Sequence, residues 1–217
     1  MTSTGTPAGA SMAFELTFAG DAVRVLQSEA AFEGYFAVRR LTLQHQLFGG
    51  GWSPPLVREV FERGDAVAVL PYEPETDCVI LIEQFRPGAL RDARSPWMLE
   101  VIAGVVEPGE TDAEVAHREA GEEAACELAE LVPIASYYPS AGACSEHVRL
   151  FCGRVRRAGA GAVHGARGEG EDILVHRIPR LEALALLAAD RVPNGHTLIA
   201  LQWLQLQGES LRQRWLS

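Results

Sequence analysis

Gly104–Cys126 reads GVVEPGETDAEVAHREAGEEAAC, a glycine-bearing loop that runs into an acidic segment. Thr111 followed three residues later by Glu114 is a capping box, so the spacing predicts a helix from Thr111 to about Cys126. Ala113, Ala116, Ala120 and Ala124 recur at helical spacing and form its expected apolar stripe. Glu119 lies one helical turn from Glu122 and Glu123, so the three carboxylates share one arc beside that stripe. Like charges at this spacing cost roughly 0.2–0.5 kcal/mol per pair in an isolated helix. The segment has no lysine, and Arg118 falls to one side of the arc. An outside cation is therefore expected; hard divalent ions such as Mg²⁺ take carboxylate oxygens together with substrate phosphates. The plain alternative is a solvated acidic face.

The rest of the chain limits the function classes. It has 217 residues, 47% apolar and 22% charged, which suits a globular protein and not a disordered one. A net charge of −10 argues against a non-specific nucleic-acid binder and against a polybasic membrane-surface protein. No apolar run is long enough to span a bilayer. Residues 1–12 lack the basic start and apolar core of a signal peptide and read as a flexible leader. Cys78, Cys126, Cys144 and Cys152 show no Cys-x-x-Cys spacing, so a zinc site is not expected, and reduced thiols in the cytoplasm are.

Strand signals lie at Tyr35–Leu43 and Leu56–Phe61, within a β-rich section over residues 13–63 too small for its own core. Ala66–Leu70 and Cys78–Ile82 are nearly continuous apolar runs, expected as buried central strands. Further strands fit Trp97–Ala103, Leu131–Tyr138, His147–Val155 and Ile173–Ile178. Two closing helices fit Leu181–Ala189 and His196 to about Gln207, after the Asn194-Gly195 turn. Ala158–Gly170, rich in glycine and alanine, is expected as a mobile surface loop. The class is α+β.

Gly104, Glu110, Arg118, Glu119, Glu122 and Glu123 stand in the spacing G-x5-E-x7-R-E-x-x-E-E. Six identities at fixed spacing arise by chance about once in 10⁷ start positions at ordinary residue frequencies. The chain is identified on this pattern as resembling the Nudix hydrolases. Ala125 stands where that family usually has glycine; if the backbone there needs positive φ, alanine costs about 1 kcal/mol. The resemblance implies a Nudix α/β/α sandwich around a mixed sheet over residues 64–217, with residues 13–63 used for dimerisation. It implies hydrolysis of a nucleoside diphosphate linked to another group, with Mg²⁺, or Mn²⁺, as cofactor. Glu119 and Glu123 are the implied metal ligands with the carbonyl of Ala103. Glu122 is a ligand or catalytic group, and Gly104, Glu110 and Arg118 shape the loop and helix.

Longer stretches are similar to the bacterial branch that cleaves ADP-ribose to AMP and ribose 5-phosphate. They include Arg58–Gly64, Ile82–Arg86, Leu99–Gly104, Ser145-Glu146, Val163–Gly165, Glu169–Ile173 and Ile199–Leu204. Carried over by position, Arg58, Glu59, Arg63 and Arg86 line the substrate site, and guanidinium forks suit phosphate oxygens. Tyr35 and Phe36 match positions that meet the nucleotide across a homodimer. Val105, Ser140, Gly142 and Glu146 match further substrate contacts. By the same match Glu169 is the base that activates water and Glu171 a further metal ligand, although adjacent loop acids can exchange these roles. One departure stands out. ADP-ribose enzymes usually carry proline sixteen residues after the box glycine, where this chain has Ala141. The rivals are the same chemistry on another nucleoside diphosphate sugar such as GDP-mannose, and a silent Nudix module that only binds such ligands.

Overall fold

The computed structural model describes residues 15–159, 163–165 and 170–217. The expected leader and Glu169 lie outside them. The chain forms two compact units, divided between Phe61 and Glu62.

The first unit is a three-stranded sheet in the order β1 (Val23–Glu33), β2 (Ala37–His45), β3 (Leu56–Glu62). β1 pairs antiparallel with β2, from Val23 opposite His45 to Glu33 opposite Ala37. Every residue of β1 is exposed, Val25, Leu26 and Phe32 included. Its charged and polar insertions (Arg24, Gln27, Glu29) break the two-residue alternation by which a half-buried strand is recognised. The Arg24 guanidinium lies over the Trp52 ring, 3.7 Å from its centroid.

The second unit is built on β4 (Ala66–Glu73) and β5 (Cys78–Phe85). On β4, Ala66, Ala68, Leu70 and Tyr72 face one core cluster, while Val67 and Val69 face another. A strand buried on both faces carries no polar alternation, which is why its sequence is an unbroken apolar run. β4 and β5 pair only beside their connecting turn, at Tyr72–Val79 and Glu73–Cys78, and then part. The gap is filled by β6 (Trp97–Glu100), which pairs with β5, and β7 (Ile102–Val105), which pairs with β4.

The single strand expected at Trp97–Ala103 is thus two strands that break at Val101. The break has a cause. Val101 N–H leaves the ladder and donates to Thr197 Oγ1 at 2.9 Å.

Four strands complete the sheet: β8 (Glu127–Tyr137), β9 (Val148–Arg157), β10 (Val163–His164) and β11 (Ile173–Pro179). The order is β10-β11-β5-β4-β9-β8, with β4 and β9 parallel and the other pairs antiparallel. The short β10 lies inside the segment expected to be a mobile surface loop, of which residues 160–162 and 166–169 lie outside the described residues.

Helix α1 (Asp112–Ala124) covers one sheet face; α2 (Arg180–Ala188) and α3 (Gly195–Leu216) cover the other. This is the expected α/β/α sandwich around a mixed sheet. The capping box at Thr111 and Glu114 is formed. Ala116, Ala120 and Ala124 are buried as expected, but Ala113 is exposed and Val115 takes its place. A branched side chain there fills more of the space against the sheet than a methyl group would.

α3 runs well past Gln207. Its Gly208 would normally weaken a helix, but here it is buried with Arg180 Cδ and the Leu204 side chain against it. Beyond it Leu211 and Trp215 are buried, and the Trp215 ring packs 6.1 Å from that of Tyr72. Tertiary packing therefore prolongs α3 where local propensity would end it. Among the described residues no helix is long and apolar enough to cross a membrane. All four cysteines are free.

α1 ends on Ala125 at φ +46°, a left-handed conformation that glycine adopts without a Cβ clash. The strain is roughly 1–2 kcal/mol and exceeds the unfolded-chain entropy that alanine removes. Ala125→Gly is expected to stabilise the fold by roughly 0.5–1 kcal/mol, read as a higher unfolding midpoint. An unchanged midpoint would mean the turn is not strained.

Candidate active site

The two-strand insertion brings β7 under α1. At Gly104 the approach is closest: a Cβ there would stand 1.6 Å from Glu119 Oε1 and 2.0 Å from Glu119 Cδ. The glycine leaves the space in which the Glu119 carboxylate lies against the strand backbone. One turn on, Glu123 is buried, and its Oε2 accepts a hydrogen bond from Ala103 N–H at 3.2 Å. Ala103, Gly104, Glu119 and Glu123 thus lie together, with Glu123 meeting the Ala103 amide and not the carbonyl that the resemblance implied as a ligand.

Arg118 organises the acids more tightly than its helical position indicated. Its Nε and Nη2 grip the two oxygens of Glu110 at 2.8 and 3.0 Å, a paired fork that fixes the loop on the helix. Glu110 Oε2 also accepts from Glu107 N–H at 3.0 Å. The guanidinium and that amide hold the Glu110 carboxyl below its ordinary range. Arg118 Nη1 then reaches Glu119 Oε1 at 2.6 Å and Glu122 Oε2 at 3.3 Å, and Nη2 reaches the Val105 carbonyl at 3.3 Å. The expectation that Arg118 stands aside from the arc is corrected, because its long stem bends back over it.

Burial pushes the carboxyl of Glu119 up, against the pull of Arg118. Glu123 is pushed up to about 8, first by burial and then by the neighbouring Glu119. Ala103 N–H and Arg86 oppose the shift, and Glu171 adds to it. Glu171, just ahead of β11, is close enough to act on both Glu119 and Glu123.

Among the described residues no three His, Cys, Asp or Glu side chains are drawn together tightly enough to be a ready metal cluster. Glu119 and Glu122 are turned onto Arg118 and Glu123 onto Ala103. The donor set still fits a hard divalent ion. It is all oxygen, it includes a buried carboxylate that gains from a nearby cation, and Gly104 keeps the cradle open.

The residues matched to substrate contacts fall into two groups. In the second unit Arg86 follows β5 and donates through Nε to Glu100 Oε2 at 2.8 Å. It is close enough to affect both Glu123 and His196. Arg63 pairs with the buried Glu146 at 3.3 Å and also acts on His196. Val105 closes β7, half exposed, beside Gly64. Ser140 and Gly142 sit in the turn between β8 and β9, where the Ser140 carbonyl accepts from Ala143 and Cys144 N–H. In the first unit Tyr35 and Phe36 meet edge to face at 4.7 Å, and Phe36 meets Phe61 in the same way at 5.1 Å. Arg58 donates to the Val57 carbonyl at 2.8 Å, and Glu59 pairs with Arg40 at 3.1 Å.

Two groups escaped sequence reading. Glu100 is 3% exposed and accepts from Gln84, Arg86 and Asn194. Its signal was a lone charge inside an otherwise apolar strand, which must have partners to be buried. His196 and Tyr137 lie 2.5 Å apart, Nδ1 to Oη. Burial, with Arg63 and Arg86 nearby, lowers the pKa of His196, while burial raises that of Tyr137 to about 12. No local pattern announces a pair separated by this much chain.

The family model described as the NUDIX domain matches residues 62–201. The chain belongs to the Nudix family. It is 41% identical to the ADP-ribose pyrophosphatase of Haemophilus influenzae, over 91% of this chain and 93% of that protein. It is 38% identical to the ADP-ribose pyrophosphatase of Escherichia coli strain K12, over 92% and 96%. Identity to the GDP-mannose pyrophosphatase of Yersinia enterocolitica is 28%, over 84% and 95%. A solved structure titled as an ADP compounds hydrolase superposes with a TM-score of 0.63 at 20% identity, over 86% of this chain and 96% of that one. It supports the Nudix fold.

Proposed function

We propose that this Nudix enzyme hydrolyses the pyrophosphate of ADP-ribose to AMP and ribose 5-phosphate, using a divalent metal ion, Mg²⁺ first and Mn²⁺ as a substitute. The observation that supports the chemistry is the Glu119 carboxylate lying against Gly104 with the buried Glu123 one turn on, and Glu171 and Arg86 close enough to act on Glu123. The substrate follows the near-full-length relatives, since identity to the ADP-ribose enzymes exceeds that to the GDP-mannose enzyme. Ala141 in place of the usual proline does not outweigh that difference.

Glu119, Glu123 and Glu171 would hold the ion with the Ala103 carbonyl, and Glu122 would serve as ligand or partner. When bound, it would neutralise the pyrophosphate and lower the pKa of the attacking water. Arg118 positions Glu119 and Glu122 from one side and Glu110 from the other. Arg86, Arg63 and Arg58 would receive phosphate oxygens, with Glu59, Glu146, Val105, Ser140 and Gly142 as further contacts. Glu169 is the proposed base. A second copy of the chain would complete the site through Tyr35 and Phe36, and the exposed Val25, Leu26 and Phe32 suit a homodimer interface. Free thiols suit a reducing compartment, and the cytoplasm is the proposed one. Residues 13–63 form the proposed dimerisation section and 64–217 the hydrolase domain.

Product chromatography tests the proposal. ADP-ribose, GDP-mannose, NADH and diadenosine polyphosphates are each incubated with and without Mg²⁺. AMP and ribose 5-phosphate, formed fastest from ADP-ribose and only with metal, are expected. Faster cleavage of another compound would move the substrate, and binding without turnover under any divalent ion would make the chain a ligand-binding module. Arg86→Ala is expected to raise KM for ADP-ribose by at least about tenfold, with a smaller effect on kcat, as for a group that clamps phosphate. An unchanged KM counts against that role.

A further inference from the structure

Glu100 belongs to none of the groups given a role so far, yet among the described residues it is one of few charged side chains removed from water. A carboxylate is buried only when its oxygens are well supplied with donors. Here Oε2 receives Arg86 Nε at 2.8 Å and Gln84 Nε2 at 3.2 Å, and Oε1 receives Asn194 Nδ2 at 2.7 Å. These donors come from three places. Gln84 lies near the end of β5, Arg86 just beyond it, and Asn194 is the N-cap of α3.

Asn194 works in two directions. Its Oδ1 accepts from Thr197 N–H and Thr197 Oγ1, both at 3.0 Å, and so starts the helix. Thr197, fully buried, in turn accepts from Val101 N–H, which breaks the ladder between β6 and β7. The start of α3 is therefore fastened to the strand pair that carries Ala103 and Gly104, and to the partner of Arg86.

The Arg86 side chain is 43% exposed, whereas that of Glu100 is 4% exposed. The arginine reaches into solvent from an anchored base. Among the described residues its bond to Glu100 uses only Nε–H, which leaves the two terminal amino groups of the fork for a ligand. A long side chain held in this way loses less freedom when it meets phosphate.

We propose that Glu100 is a positioning residue: its buried carboxylate aims the Arg86 guanidinium at the substrate phosphates and ties it, through Asn194, to the first turn of α3. The proposal rests on the reading of Arg86 as a phosphate-binding group. A purely structural Glu100 would affect folding and turnover alike; a positioning Glu100 acts on substrate binding, and only while Arg86 is present.

The test is a double-mutant cycle on the full chain with ADP-ribose and Mg²⁺. Glu100→Gln, Arg86→Ala and the double variant are compared for KM, kcat and melting temperature. Glu100→Gln is expected to raise KM about tenfold, the scale of a lost charge-assisted hydrogen bond, with kcat within about threefold. In the Arg86→Ala background it is expected to raise KM no further. Equal effects of Glu100→Gln with and without Arg86 would overturn the proposal, as would an unchanged KM where Arg86→Ala raises it. If Arg86→Ala itself leaves KM unchanged, the reading of Arg86 falls and takes this one with it. Asn194→Ser supplies a second route should Glu100→Gln fold poorly. Serine still caps α3 but has no amide to give Glu100, so a raised KM at unchanged melting temperature supports the proposal and an unchanged KM overturns it.

Discussion

Glu123→Gln lowers kcat for ADP-ribose by at least about 10²-fold, the scale of removing one key electrostatic group from a site, while the protein stays folded. Gln has nearly the shape of Glu and keeps a carbonyl oxygen for Ala103 N–H, the partner of Glu123 at 3.2 Å. It also removes a carboxyl that burial and Glu119 push up to about 8. The fold therefore loses an electrostatic burden rather than a support, and the melting temperature should hold or rise. The proposed metal site loses an anionic ligand. Two measurements separate these effects: turnover by product chromatography, and the rise in melting temperature on adding Mg²⁺. Binding to the folded state stabilises by mass action, so that rise should shrink in the variant. Near-normal turnover together with an undiminished Mg²⁺ effect would sink Glu123 as a ligand.

Gly104→Ala is expected to be as damaging, by geometry instead of charge. The added Cβ would stand 1.6 Å from Glu119 Oε1 and 2.5 Å from Glu119 Cγ. Carbon atoms at that distance overlap deeply, so either the carboxylate leaves the strand or β7 moves away from α1. The first takes Glu119 from the proposed site and from Arg118 Nη1; the second displaces Ala103 from Glu123. Either route is expected to lower kcat by at least about 10²-fold, because an ångström of misplacement is enough to cost that much. The Mg²⁺ effect on melting should fall in parallel. A fully active Gly104→Ala would show that Glu119 does not need its place beside the strand.

Both predictions concern residues legible before any coordinates. The box spacing singled out Gly104, Glu119 and Glu123, and the capping box at Thr111 and Glu114 set the start of α1. These signals are local: a cap and a helical repeat depend on neighbours within a turn or two. Ala125 is local too: the glycine the position usually holds raised the question of positive φ, and the backbone there is left-handed.

Other features were not legible because they depend on distant chain. The strand signal at Trp97–Ala103 gives no hint of its break at Val101, which Thr197 imposes from α3. Gly208 looks like a helix end until Arg180 and Leu204 close on it. Ala113 stands at helical spacing with Ala116 and Ala120, and only the sheet's position left it exposed and buried Val115.

The sequence by itself determined the class of fold, the limits of α1, the buried strands β4 and β5, and which carboxylates share one helix face. Periodicity and capping are short-range properties that a chain carries wherever it folds. Only the tertiary structure decided that Arg118 curls back onto Glu119 and Glu122, that Glu171 comes near Glu123, and that Glu100 joins Arg86 to Asn194. Those contacts join residues from separate elements. Burial makes them strong, because a charge withdrawn from water must find its partners within the protein.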